Sequence, residues 1–129
     1  MNTTDIFKYI KERLESDSAI QEIVESKIYP IAIMRNVKLP YIIQNAKLNS
    51  ISDTKDGEYE REITSTIAVF GENQDVPMKV ISEMERLFSG DVEEVDYLDV
   101  SEIKVNTWDF DEDDGVFGGI MELTIKIDV

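Results

Sequence analysis

The chain has 129 residues, 42% of them apolar, which fits one domain (1–129) with a modest core. It has no Cys and no His, which excludes a disulfide framework, a thiol nucleophile and a thiolate metal site, and leaves only carboxylate-based, hard-cation binding. Its 28 acidic and 13 basic residues give a net charge of −15, which repels nucleic-acid phosphates and anionic lipid and argues against a DNA-gripping role, while leaving open a surface that DNA slides past.

The opening MNTTDIFKYIKERLE carries charges every few residues and is expected not to be a signal peptide. Ile6, Phe7, Ile10 and Leu14 recur at spacings of three to four and predict an amphipathic helix, capped by Thr3 or Thr4 with Asp5 in its first turn. Ser16 and Asp17 interrupt the pattern and can cap a shorter helix holding Ala19, Ile20, Ile23 and Val24, read as helix, tight corner, helical turn. Pro30 and Pro40 bracket the next stretch, with a short edge strand at 28–31 and a loop at 32–38 in which Met34 is an exposed apolar candidate beside Arg35.

Residues 41–52 read as a strand, Asp56-Gly57 as a hairpin turn, and 58–70 as a second strand. In the second strand Tyr59, Arg61, Ile63, Ser65, Ile67 and Val69 share one face, and Glu60, Glu62, Thr64, Thr66, Ala68 and Phe70 the other. The base of this hairpin should pack on the core and its tip project, with Arg61 facing outward among glutamates. Asp75 as cap, Pro77 in the first turn and Val76, Val80, Ile81, Met84, Leu87 and Phe88 predict a second main helix that stops at Gly90.

Beyond Gly90 the charge balance changes, because residues 90–129 hold 13 acidic and 2 basic residues, a net of −11. Residues 100–108 read as a strand, 109–115 as a turn and 116–129 as a final strand with Phe117, Gly119, Met121, Leu123, Ile125, Ile127 and Val129 on one face. Gly118-Gly119 marks a bulge or a close backbone approach. The element order predicts an α+β fold: a mostly antiparallel β-sheet of four to five strands with two main helices packed on one face. No apolar run approaches ~18 residues, so no membrane span is expected.

The acidic run Asp109, Asp111, Glu112, Asp113 and Asp114 superficially suggests a calcium loop, but the register fails. Counted from Asp109, Gly115 falls seventh rather than sixth, and Ile120 occupies the twelfth place that a Glu should hold. A solvated hairpin tip or an acidic lining is the better expectation, and no metal or cofactor is assigned. Neither a Ser-centred catalytic motif nor a Gly-rich phosphate loop occurs, and no carboxylate pair stands out, so no enzyme is expected. Trp108 and Phe110 flank Asp109 and read either as core-edge packing at a strand end or as interface anchors, and Tyr97 in its acidic surroundings poses the same choice. Tyr59 and Arg61 on the long hairpin complete the interface candidates; an internal surface pair is the alternative for Arg61.

The order of these blocks resembles the small tail-completion, or tail-terminator, proteins of long-tailed bacteriophages and prophages. IKERLESDSAIQEIVESKIYP resembles that family's opening block, followed by Leu39-Pro40-Tyr41-Ile42-Ile43, the Asp56-Gly57 turn, ITSTIAVFG, the helix DVPMKVISEMERLFSG and the last strand VFGGIMELTIKI. The likeness covers roughly residues 6–127, but IAIM after Pro30 and the acidic segment 91–114 depart from the family pattern.

The resemblance implies a structural protein that forms a ring, usually of six copies, at the head-proximal end of the tail tube. The ring ends tube polymerisation and meets the tube protein on one side and the head–tail connector on the other. It implies synthesis in the host cytoplasm and then a place in the virion tail, with DNA passing through an acidic channel unbound and no membrane partner. A small acidic protein-binding module, or a nucleic-acid mimic outside any virion, is the alternative that the −11 charge of the last third supports.

Overall fold

Alternating apolar residues fix four long strands, and two helical stripes fix what covers them. In this computed structural model, residues 2–30, 37–53 and 59–128 are described, without the side chains of 50, 52, 53 and 59. The elements in chain order are α1 (Thr4–Ser16), α2 (Ser18–Val24), β1 (Ile28–Pro30), β2 (Tyr41–Asp53), β3 (Tyr59–Gly71), α3 (Asp75–Phe88), β4 (Val100–Asp113) and β5 (Val116–Asp128). The sheet order is β1-β2-β3-β5-β4. Only β1 runs parallel to its neighbour; the other three pairings are antiparallel. The fold is α+β as expected, with three helices rather than two on one sheet face. The third is α2, seven residues long, the shorter helix expected around Ala19 to Val24.

Period-two alternation sends Ile63, Ile67 and Val69 of β3 and Met121, Leu123, Ile125 and Ile127 of β5 to the helix-covered face, where all are buried. Against them lie Ile6, Tyr9, Ile10 and Leu14 of α1, Ile20 and Val24 of α2, and Val80, Ile81, Met84 and Phe88 of α3. These side chains form one contiguous cluster. Tyr9 belongs to it although the i, i+4 reading passed it over. Its ring is 1% exposed while its hydroxyl reaches the edge and donates to the Glu93 carbonyl at 3.2 Å. Gln44 is the polar member of the same layer on β2, satisfied by donating to the Phe7 carbonyl at 3.0 Å.

The helix starts differ from the expectation in detail. Neither threonine caps α1. Asn2 Oδ1 accepts from the Thr4 amide at 3.1 Å and from the Thr4 hydroxyl at 2.9 Å. On α3 the cap is not Asp75 but Asn73, whose Oδ1 accepts from the Asp75 and Val76 amides at 3.0 and 3.3 Å. In both cases a short amide side chain one or two residues upstream reaches the orphan N–H groups. Asp17 does cap α2, accepting from the Ala19 and Ile20 amides at 3.0 and 3.1 Å.

The larger correction concerns 109–115, expected as a turn. Asp109 to Asp113 continue β4 and pair with β5 to the end. The turn proper is Asp114-Gly115, whose φ values of 51° and 79° are the left-handed pair of a tight two-residue hairpin. Aromatic residues at 108 and 110 favour extended backbone, and the ladder to β5 outweighs repulsion among the carboxylates. The close approach is at Gly119 alone, and the Gly118-Gly119 pair makes no bulge. A Cβ on Gly119 would stand 2.9 Å from Ile81 Cγ1 and 3.1 Å from Pro77 Cβ. Register shifts lie instead at Leu48/Ser50, Val100/Glu102 and Val105/Thr107. The Asp56-Gly57 turn and most of the 32–38 loop, with Met34 and Arg35, lie outside the described residues, as does the side chain of Tyr59.

Candidate assembly surfaces

The β4–β5 end carries the densest charge, and strand register divides it between two faces. Directly opposed residues of an antiparallel pair project the same way. Trp108 opposes Met121, Phe110 opposes Gly119 and Glu112 opposes Phe117, so these three lie on the helix side. Asp109 opposes Ile120 and Asp111 opposes Gly118, on the face that no helix covers. All of residues 106–115 are exposed. Several carboxylates fold back on their own backbone instead of converging. Asp109 Oδ1 accepts from the Phe110 amide and Asp111 Oδ1 from the Glu112 amide, both at 2.8 Å, and Glu112 Oε1 accepts from the Gly115 amide at 2.9 Å. Among the described residues no group of three or more His, Cys, Asp or Glu is placed to hold a metal ion.

Trp108 and Phe110 stand side by side with ring centroids 5.5 Å apart, 50% and 38% exposed. Met78, on the first turns of α3, is 53% exposed. An open groove of about 410 Å³ connects Phe110, Met78, Pro77 and Gln74 with Glu112 and Asp111. The Gly119 close approach creates it, because β5 without a side chain there lets α3 settle onto the sheet and brings Met78 level with the β4 aromatics.

A second surface lies at the other edge of the sheet. Arg61 does not face outward with its glutamate neighbours. It opposes Ile51 and Ile127 and projects to the helix side, where it is half-buried. Its Nε is buried and has no hydrogen-bond partner among the described residues. Beside it a groove of about 130 Å³ runs between the start of α1 and β2, lined by Thr3, Phe7, Ala46, Lys47 and Leu48. Leu48 and Ile51 are 48% and 53% exposed. The sequence reading passed over Leu48, Ile51 and Met78. A signal for the first two existed: a spacing of three within a strand puts two residues on one face only if an extra residue intervenes, and Asn49 is that residue.

Tyr97 sits in the loop 89–99, which lies along α1. Its hydroxyl donates to Glu12 Oε2 at 2.7 Å, and Lys8 Nζ stands 4.1 Å from its ring centroid. Arg13 pairs with Glu93 on the same loop. Burial first, then the Glu12 hydrogen bond and charge, push the Tyr97 hydroxyl well above the usual phenol range. Tyr97 therefore fastens a loop to a helix within the chain.

The uncovered sheet face is apolar near the hairpin and polar beyond. Tyr41 and Phe70 have centroids 5.3 Å apart, and Ile120 next to them is 45% exposed. Farther along, Asn49 and Asn106 donate to the Thr64 and Thr124 hydroxyls at 2.7 and 2.6 Å, and Lys126 pairs with Glu102 at 3.4 Å.

No protein-family model matches the sequence, and no curated protein matches it. Solved structures do. The chain is similar to a chain in the virion of a native gene transfer agent particle, at a TM-score of 0.76 and 7% identity over 92% of this chain and 90% of that one. The structure of the bacteriophage SPP1 gp17 protein aligns over 92% of this chain and 84% of that one, at a TM-score of 0.48 and 17% identity. The likeness to the gene transfer agent chain is one of fold, and it spans nearly the whole of both.

Proposed function

We propose that the protein is a structural, non-enzymatic component of a phage-type tail. Its copies form a ring, six in number, on the head-proximal end of the tail tube. The ring ends tube growth and presents its far side to the head–tail connector. The observation that carries this reading is the near-complete fold correspondence with a chain of a gene transfer agent virion. The charge supports it, since six copies at −15 each leave a channel whose acidic wall repels the DNA phosphates. Asp109 and Asp111, exposed on the uncovered face, with Glu112, Asp113 and Asp114 at the hairpin end, are the candidate lining.

Gold-labelled antibody against this chain, applied to purified tails, should mark one end only. Particles lacking the chain should carry tubes of uncontrolled length without heads. Label along the whole tube, or normal tails in its absence, would overturn the reading. The exposed acidic hairpin also suits a module that binds a basic protein outside a virion. That reading predicts a stoichiometric complex with a basic protein and no label on tails.

A further inference from the structure

We propose that copies of this chain join head to tail, the Trp108–Phe110–Met78 patch of one copy seating on the exposed Leu48–Ile51 patch beside Arg61 of the next. The proposal deepens the ring reading and rests on the self-association it requires.

Large apolar side chains are exposed at six described positions, and five of them fall in two patches. Trp108, Phe110 and Met78 form one, at the β4 edge of the sheet. Leu48 and Ile51 form the other, on β2. There β1 pairs only with Ile42 to Gln44, so the outer edge of Lys47 to Asp53 has no strand beside it among the described residues. Both patches lie on the helix side, at opposite edges of the same sheet. A contact between them therefore passes from copy to copy instead of closing after two.

Charge selects this pairing over the two self-pairings. The first groove holds the Glu112 carboxylate on the helix side and no basic residue among the described residues that line it. The second holds Arg61 on the helix side and no carboxylate among the described residues that line it; Lys47 opposes Thr64 and projects to the other face. Two copies of the first patch face to face would oppose carboxylates, and two copies of the second would oppose cations. Only the mixed contact is complementary. Arg61 as a whole is only half-buried, and its planar fork suits a carboxylate brought by a neighbour. Asp109 and Asp111 project to the other face, so the acidic lining and the contact use different sides of one strand.

The test uses two full-length variants altered at half-exposed positions, so that both retain the melting temperature of the unaltered chain to within a few degrees. Trp108→Asp disables the first patch, and Leu48→Asp with Ile51→Asp disables the second. Native mass spectrometry of the unaltered chain at roughly 100 µM should show oligomers, and each variant alone should be at least tenfold weaker in self-association. Mixed in equal amounts, the variants should form a discrete 1:1 dimer, because one intact patch of each kind remains and the contact cannot propagate. Variants that assemble as the unaltered chain does would overturn the pairing and leave the ring reading standing. A mixture that stays monomeric while the unaltered chain assembles would overturn it as well. An unaltered chain that stays monomeric throughout would overturn the pairing as a contact stable in solution, and the tail-labelling experiment would then decide the ring separately.

Discussion

Arg86 Nη2 on α3 lies 2.6 Å from Asp17 Oδ2, on the carboxylate whose Oδ1 caps α2. The Asp17 side chain is 3% exposed and that of Arg86 67%. One carboxylate thus starts a seven-residue helix and ties it to a helix that lies 69 positions along the chain. A helix this short is not stable by its own propensity, so its cap and its packing hold it. Asp17→Ala should cost about 1–3 kcal/mol in urea unfolding, from the lost cap and two unpaired amides. Asp17→Asn should retain most of that stability, because the amide oxygen still accepts. Arg86→Ala should have a smaller, salt-sensitive effect, since Glu83 at 2.7 Å shares the exposed guanidinium. An Arg86→Ala loss as large as that of Asp17→Ala would show that the ion pair, not the cap, sustains α2.

Three glycines on β3 and β5 should respond differently to the same added methyl group. At Gly71 a Cβ would stand 2.6 Å from Val76 Cβ, and at Gly119 2.9 Å from Ile81 Cγ1. Both neighbours belong to α3, so the helix must lift from the sheet to make room. Alanine at either position should cost roughly 1–3 kcal/mol. At Gly118 a Cβ would meet the Phe70 ring at 3.5 Å, an ordinary contact. Gly118→Ala should therefore be nearly neutral in thermal unfolding, and equal losses at all three sites would refute the α3 seating argument.

What the sequence made legible follows from periodicity. The stripe of α3, the alternation of β3 and the alternation of β5 each repeat over a dozen residues, and each element formed where its repeat ran. The sheet order and the parallel placement of β1 had no such signal, because a three-residue strand has no period to read. The end of β4 was misjudged because Asp-rich composition reads as turn, whereas paired backbone and flanking aromatics kept residues 109–113 extended. The outward direction expected of Arg61 differs from the structure for a related reason. Alternation placed it correctly with Ile63 and Ser65, but its charge suggested solvent, and only the register with Ile51 and Ile127 shows it lying along the core edge. The apolar patch at Met78 could not be read in advance, since it exists only where α3 and β4 are brought together by Gly119.

Tyr97 and Tyr9 give the protein an alkaline signature. Burial is the leading cause raising both hydroxyls above the ordinary phenol range; Glu12 adds to it for Tyr97, while the Arg13 charge partly offsets it for Tyr9. A phenol whose folded-state value is raised contributes stability that is fully present below the unfolded value near 10 and is lost as pH rises beyond it. The absorbance of tyrosinate near 295 nm should therefore show a fraction of the five tyrosines ionising late, together with loss of the fold. Tyr97→Phe should remove part of that late phase and free the 89–99 loop to faster amide exchange. A titration in which all tyrosines ionise together in the folded protein would contradict the clasp.

Arg61 places a cost on the single chain that its role between copies would outweigh. Its Nε is buried without an acceptor among the described residues, and a buried unsatisfied donor disfavours the folded state by about 1–3 kcal/mol. The aliphatic stem, in contrast, packs usefully between Ile51 and Ile127, its partners in the ladder. Arg61→Met keeps the stem and removes the donor. The isolated chain should then gain about 1 kcal/mol in urea unfolding. Self-association should weaken, because the acidic rim of the neighbouring copy loses its cation. The two effects have opposite signs, which separates an assembly role from a structural one. If Arg61→Met lowered the stability of the single chain and left assembly untouched, the guanidinium would serve the monomer and not the contact between copies.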